Sequence, residues 1–361
     1  MNELTILPPW LTVHLDHLMA DPTRSSHAIL LHGQAGIGKR ALAAAFARAL
    51  LCESVDAARR AAGGCGACAA CLWFDQGNHP DFRKVIPEAL AVLEGQELAD
   101  EAGDGDAGEV ADAPGPRAKK APSKEIRVDQ IRALHGFMSV AIHRTRARVV
   151  LMYPLETVND VGANALLKML EEPPPQTVFV LVADHLGRIP PTVLSRCRKV
   201  FVATPPLPLA RAWLAERGVA DPDAALALSG GAPLAALGFA EDEALLASHR
   251  EFLAFLARPG VESALATAEA FGRTPAAPLV RWMQQWVADC IAVRLAGRIR
   301  YHPAQSKSLA QLAGHARLDA LMRLMQRLDA VRRTIDHPLN TRLLLESLLS
   351  AYADAMVAVK A

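Results

Sequence analysis

Residues 27–46, "HAILLHGQAGIGKRALAAAF", constrain the fold of this chain more than any other stretch. An apolar run suited to a buried strand leads into a Gly-rich turn, and the turn leads into an alanine- and leucine-rich helix. Gly33, Gly38 and Lys39 match G-x-x-x-x-G-K, the pattern in which backbone N–H groups turn inward on phosphates and a lysine adds a point charge. The following position should carry a Ser or Thr hydroxyl for Mg²⁺. Here it is Arg40, which cannot ligate a cation and would repel one. The segment predicts the strand–loop–helix of a nucleotide site while lacking part of that site's chemistry, so ATP binding is doubtful on this reading.

Further apolar runs follow at "HPDFRKVIPE", "RARVVLMY", "TVFVLVA" and "RKVFVA". Helical patterns separate them: "IRVDQIRALHGFM" repeats Ile131, Leu134, Phe137 and Met138 at helical spacing, and "NDVGANALLKMLEEPPP" runs from a cap at Asn159 or Asp160 to a proline stop. Strands alternating with helices imply a parallel sheet covered on both faces, an α/β domain over residues 1–204. Within it, residues 94–112 carry eight acids and no base amid Gly and Ala, and Pro114, Pro116 and Pro122 follow with Arg117, Lys119, Lys120 and Lys124. Residues 94–122 read as a disordered acidic insertion unable to form a core. Beyond residue 204 every pattern is helical: two helices of a small satellite over 205–242, then a five- or six-helix bundle over 243–361, with breaks near 218, 230, 259 and 338.

Cys52, Cys65, Cys68 and Cys71 are a second constellation. Two overlapping C-x-x-C steps hold three thiols around a Gly/Ala turn, and Cys52, separated from Cys65 by 12 residues, can supply the fourth. Four thiolates make a closed, structural zinc site with no open position for chemistry, in a module of about residues 52–75. An iron–sulfur cluster uses the same set, and plain core thiols are the bland reading. His79, in "GNHPDF", is a turn residue that the set does not need. Cys197 and Cys290 stand alone, Cys290 on an apolar helical face.

Composition limits the function. A net charge of +1 argues against broad, sequence-independent nucleic-acid binding as the main task. "MNELTILPPW" has no basic leader region, and no run approaches the roughly 18 apolar residues of a membrane span. The expected compartment is the cytoplasm, where clustered thiols hold metal rather than forming disulfides.

"NALLKMLEEPPPQTVFVLVA" followed by Ser195-Arg196-Cys197 resembles the AAA+ clamp-loader family. The cysteine module, the degenerate phosphate loop and "HPLNTRLLLESLL" are more narrowly similar to the delta-prime branch of the bacterial DNA polymerase III clamp loaders. The resemblance covers nearly the whole chain apart from the acidic insertion. It implies a RecA-like P-loop domain with an inserted zinc module, a small helical lid and a C-terminal helical collar. Motor subunits of the family carry an acidic pair where this chain has Tyr153 and Pro154, and a sensing arginine where it has Leu234. Glu156 lies near the first position but does not align with it. The missing hydroxyl, acids and arginine together argue for a member that does not hydrolyse ATP.

Arg196 is implied by the same resemblance to be an arginine finger reaching a neighbour's γ-phosphate in trans; the plain alternative is a surface arginine paired with a carboxylate. The implied partners are the gamma/tau motor subunits and the delta subunit, with the sliding clamp and primer–template DNA engaged through the assembly. Such a chain would be a subunit of the DNA polymerase III holoenzyme rather than an enzyme alone. Two other readings are an autonomous P-loop ATPase, resting on Gly33, Gly38 and Lys39, and a zinc-dependent nucleic-acid-binding module, resting on the cysteines.

Overall fold

The computed structural model describes residues 7–20, 27–95, 122–144, 147–335 and 340–356. Most of the acidic insertion, residues 96–121, and the break near 338 lie outside the described residues. The chain divides into two compact units, Met1–Thr204 and Pro205–Ala361, and the segments 205–242 and 243–361 both fall in the second.

The first unit runs α1 (Thr12–Ala20), β1 (Ala28–His32), α2 (Lys39–Leu51), α3 (Ala57–Ala61), α4 (Ala69–Asp75), β2 (Phe82–Val85), α5 (Glu88–Leu93) and α6 (Val128–Ser139). It continues with β3 (Arg148–Met152), α7 (Asp160–Glu171), β4 (Thr177–Ala183), α8 (Pro191–Leu194) and β5 (Arg198–Phe201). All five apolar runs become strands of one parallel sheet in the order β2-β3-β4-β1-β5. Strands β3 and β4 are buried throughout, so their sequences are unbroken apolar runs rather than alternating ones. Alternation survives in what the side chains touch. Leu30, Val150, Met152, Phe179 and Leu181 pack with Ile131, Leu134 and Met138 of α6 and Leu166 and Met169 of α7. Helix α2, rich in buried alanines, packs on β3 and β4. Asn159 caps α7, its Oδ1 accepting from Gly162 N at 2.9 Å.

The second unit is all-α: α9 (Leu207–Ala215), α10 (Pro222–Leu228), α11 (Pro233–Glu241), α12 (Glu243–Ala257), α13 (Val261–Ala270), α14 (Ala276–Ala296), α15 (Ser306–His315), α16 (Leu318–Arg333) and α17 (Thr341–Met356). The first segment holds three helices rather than the two expected. Asp221 caps α10 by accepting from Ala224 N at 3.0 Å, and Asp242 caps α12 by accepting from Leu245 N at 2.9 Å. Among the described residues, no single helix is long and apolar enough to cross a membrane.

The core of α12–α17 is held by apolar burial and by buried polar contacts, among them a relay through Trp286 and Tyr352. Trp286 Nε1 donates to Tyr352 Oη at 2.7 Å, and Tyr352 Oη donates to Leu256 O at 2.6 Å, joining α14, α17 and α12. Both rings are fully buried. Tyr352→Phe would strand an indole N–H and a carbonyl in an apolar interior, each worth about 1–3 kcal/mol. Urea unfolding followed at the second unit should show a loss of roughly 2–6 kcal/mol.

Candidate functional site

The loop after β1 sits at the carboxyl end of a central strand, where parallel sheets bind ligands. Its glycines are required by geometry. Gly33 has φ 146°, and a Cβ there would lie 2.4 Å from Val202 O. Gly38 has φ 101°, a left-handed conformation at the start of α2. Trp10 donates from Nε1 to Ile37 O at 2.8 Å and pins the loop from outside.

Lys39 does not point toward open space. Its side chain is 3% exposed, and Nζ donates to Gly33 O at 2.9 Å and Gln34 O at 2.6 Å and pairs with Asp184 Oδ1 at 2.5 Å. Three acceptors match the three N–H donors of an ammonium, so the group that should reach a phosphate is already satisfied.

Arg40, at the start of α2, and Tyr153, just beyond β3, are joined to each other. Arg40 pairs with Glu94, and its guanidinium carbon lies 4.6 Å over the Tyr153 ring. The Tyr153 hydroxyl faces both oxygens of Glu94, at 3.0 and 3.2 Å, and Lys84 Nζ reaches Oε2 at 2.9 Å. Burial pushes the Tyr153 phenol up to about 12, so it stays protonated and donates. Glu94, expected as the first residue of a disordered insertion, is instead the C-cap of α5. Its carboxylate is fixed because two cations from elsewhere in the chain converge on it. Glu156 is engaged elsewhere, its Oε1 accepting from Asp184 N at 2.9 Å and His185 N at 3.3 Å.

The four clustered cysteines come together as read. Their sulfur atoms all lie within 4.8 Å of one another, with Cys52 Sγ and Cys68 Sγ 4.0 Å apart. Four thiolates at about 2.3 Å from a tetrahedral ion stand about 3.8 Å apart, so the quartet fits a metal. Backbone N–H groups aim at the sulfurs: Cys65 N at Cys52 Sγ (3.3 Å), Cys68 N at Cys65 Sγ (3.4 Å) and Cys71 N at Cys68 Sγ (3.4 Å). N–H groups of Ala67 and Cys68 pull the Cys65 thiol down to about 6, whereas burial pushes Cys52 and Cys71 up. Ionising the buried pair needs a cation among them. His79 stays outside the quartet as a buried turn residue, its Nδ1 accepting from Asp81 N at 3.1 Å.

The Ser195-Arg196-Cys197 stretch divides its roles. Cys197 turns into the core and donates to Val193 O at 3.2 Å, and burial raises its thiol to about 11. Ser195 Oγ donates to Thr192 O at 2.9 Å. Arg196 is partly exposed and pairs with Glu171 at the end of α7. Leu234 is half-buried in α11 and Cys290 is a core residue of the second unit.

Family models match both units of the chain. A family described as DNA polymerase III, delta subunit, matches residues 13–205, and one described as DNA polymerase III, delta subunit, C terminal, matches 245–353. The DNA polymerase III subunit delta' of Pseudomonas aeruginosa is 33% identical over 91% of this chain and 92% of its own length. The DNA polymerase III subunit tau of Bacillus subtilis is 29% identical over 48% of this chain and 24% of its own. A gamma subunit-related protein of DNA polymerase III from Thermotoga maritima aligns in structure at 16% identity with a TM-score of 0.45, covering 96% of this chain and 99% of that one. The parallel sheet, the all-α second unit and the family matches along both agree: the chain belongs to the delta' subunit family of DNA polymerase III.

Proposed function

We propose that this chain is the stator-like subunit of a cytoplasmic clamp loader, one that does not hydrolyse ATP itself but supplies Arg196 to a neighbouring motor subunit. The observation that carries the reading is the closed phosphate loop. Lys39 is saturated by Gly33 O, Gln34 O and Asp184, and Arg40 is tied through Glu94 to Tyr153. Arg40, Tyr153 and Pro154 bring no Ser or Thr hydroxyl and no carboxylate to hold Mg²⁺ or orient a water. Arg196 by contrast is accessible, on a short helix stop anchored by the buried Cys197. Its planar fork suits a phosphate, and fingers of this kind contribute about 10³–10⁵ in rate. The implied partners are gamma/tau-type motors and a delta-type subunit joined through the C-terminal bundle, with clamp and primer–template DNA reached through the assembly.

The cysteine quartet supports a resident structural zinc held by Cys52, Cys65, Cys68 and Cys71. Its four thiols leave no open position, so the metal would brace the segment between α2 and α4 and take no part in catalysis.

Each element has its own test. Protein purified without chelator should contain one zinc per chain, and Cys68→Ser should release it, since structural zinc is worth about 10–16 kcal/mol of apparent binding energy; iron, or no metal, rejects the assignment. The isolated chain should turn over no ATP, and Lys39→Ala should leave clamp loading by the reconstituted assembly nearly unchanged; a large loss with assembly intact would give the loop a nucleotide role. Arg196→Ala should leave folding, zinc and assembly intact. It should lower DNA- and clamp-stimulated hydrolysis at the facing site by on the order of a thousandfold or more, with poor rescue by Arg196→Lys. Unchanged single-turnover hydrolysis with only that site competent rejects the finger.

A further inference from the structure

Arg196 is held at three points. One Nη1 hydrogen goes to Thr192 O at 2.8 Å and another to Ser195 Oγ at 3.3 Å, while Nη2 pairs with Glu171 Oε1. The first two contacts come from the same helical turn and fix where the guanidinium begins. Glu171 is different in kind, because it is the last residue of α7 and reaches Arg196 across 25 positions of sequence. Its location is unfavourable for the helix itself. The carboxylate stands at the negative end of the α7 dipole, beside a second acid, Glu172. A glutamate there does nothing for α7 that a neutral residue would not do as well, but it does orient the arginine. Among the described residues, Nε and the second Nη2 hydrogen have no protein acceptor and remain available to a ligand.

We infer that Glu171 is a positioning residue for Arg196: it holds the guanidinium plane in one orientation before the neighbouring subunit's nucleotide arrives. The inference rests on the finger reading above. A long side chain that must be ordered in the transition state loses rotamer freedom at that moment, and a preformed contact moves that loss into the resting state. The pair is part-exposed, 33% for Arg196 and 47% for Glu171, so its hold is modest. A partner of this strength can be kept or exchanged for phosphate without a large barrier.

The test is a double-mutant cycle in the reconstituted clamp loader with only the facing ATP site competent. Glu171→Gln should lower single-turnover hydrolysis roughly threefold to fivefold, the scale of an exposed ion pair, with the ATP concentration for half-saturation unchanged. Glu171→Asp, which keeps the charge on a shorter stem, should recover part of the loss. Thermal unfolding and assembly of both variants should match the unsubstituted chain. In the Arg196→Ala background, Glu171→Gln should have no further effect, because a positioning residue has nothing left to position. Full activity in Glu171→Gln, a gain in activity, or an additive loss in the double variant would each overturn the inference. If Arg196→Ala is itself without effect, the finger reading fails and this one with it; a loss in Arg196→Ala alone removes only the role of Glu171.

Discussion

An ammonium group removed from water must find an acceptor for every proton, and in the first unit that requirement falls on Lys39. Its acceptors are two carbonyls of its own loop and the Asp184 carboxylate at the end of β4. Two consequences follow from this. The loop is drawn onto its own lysine instead of offering that charge to a phosphate. The pairing also cancels the positive charge that makes a phosphate loop attractive to anions.

The neighbouring network completes the closure. Glu94 receives Arg40, Lys84 and the Tyr153 hydroxyl, so α2, β2, α5 and the end of β3 meet at one carboxylate. Glu94 is 15% exposed, well below the exposure of a typical surface pair. Two cations and a phenol on one half-desolvated acid form a network in which loss of the acid leaves two charges without partners. This is a stronger constraint than an isolated surface pair, which contributes about 0–1 kcal/mol. The network occupies the space between the start of α2 and the end of β3.

Helix α2 connects the closed loop to the metal-fitting quartet. It begins at Lys39 and Arg40 and ends at Leu51, with Cys52 as its C-cap. At about 1.5 Å per residue the two features are some 20 Å apart along one rod. Arg48, near its end, donates to Gly63 O at 3.2 Å and Asp75 at 2.7 Å, tying the cysteine loop back to the helix. The quartet braces a module that is anchored on the same element as the loop, while the arginine stretch depends on a separate anchor, the buried Cys197.

What the chain encodes locally was legible without coordinates: five strands, most of the helices, the glycine loop, the four cysteines and the Ser-Arg-Cys stretch. Apolar period, cap and turn chemistry and C-x-x-C spacing act over a few residues, and backbone hydrogen bonding converts them directly into structure. In sequence Glu94 reads as filler, because eight acids over residues 94–112 carry no mark distinguishing the one that is bound. Two of its three partners, Arg40 and Tyr153, lie 54 and 59 positions away in sequence and are brought close only by the order β2-β3-β4-β1-β5. Lys39 likewise fits the motif in sequence, yet its acceptor Asp184 arrives only through the pairing of β1 with β4. Short-range periodicity is set by the backbone; which charges meet is set by strand order and burial, and those exist only once the sheet has formed.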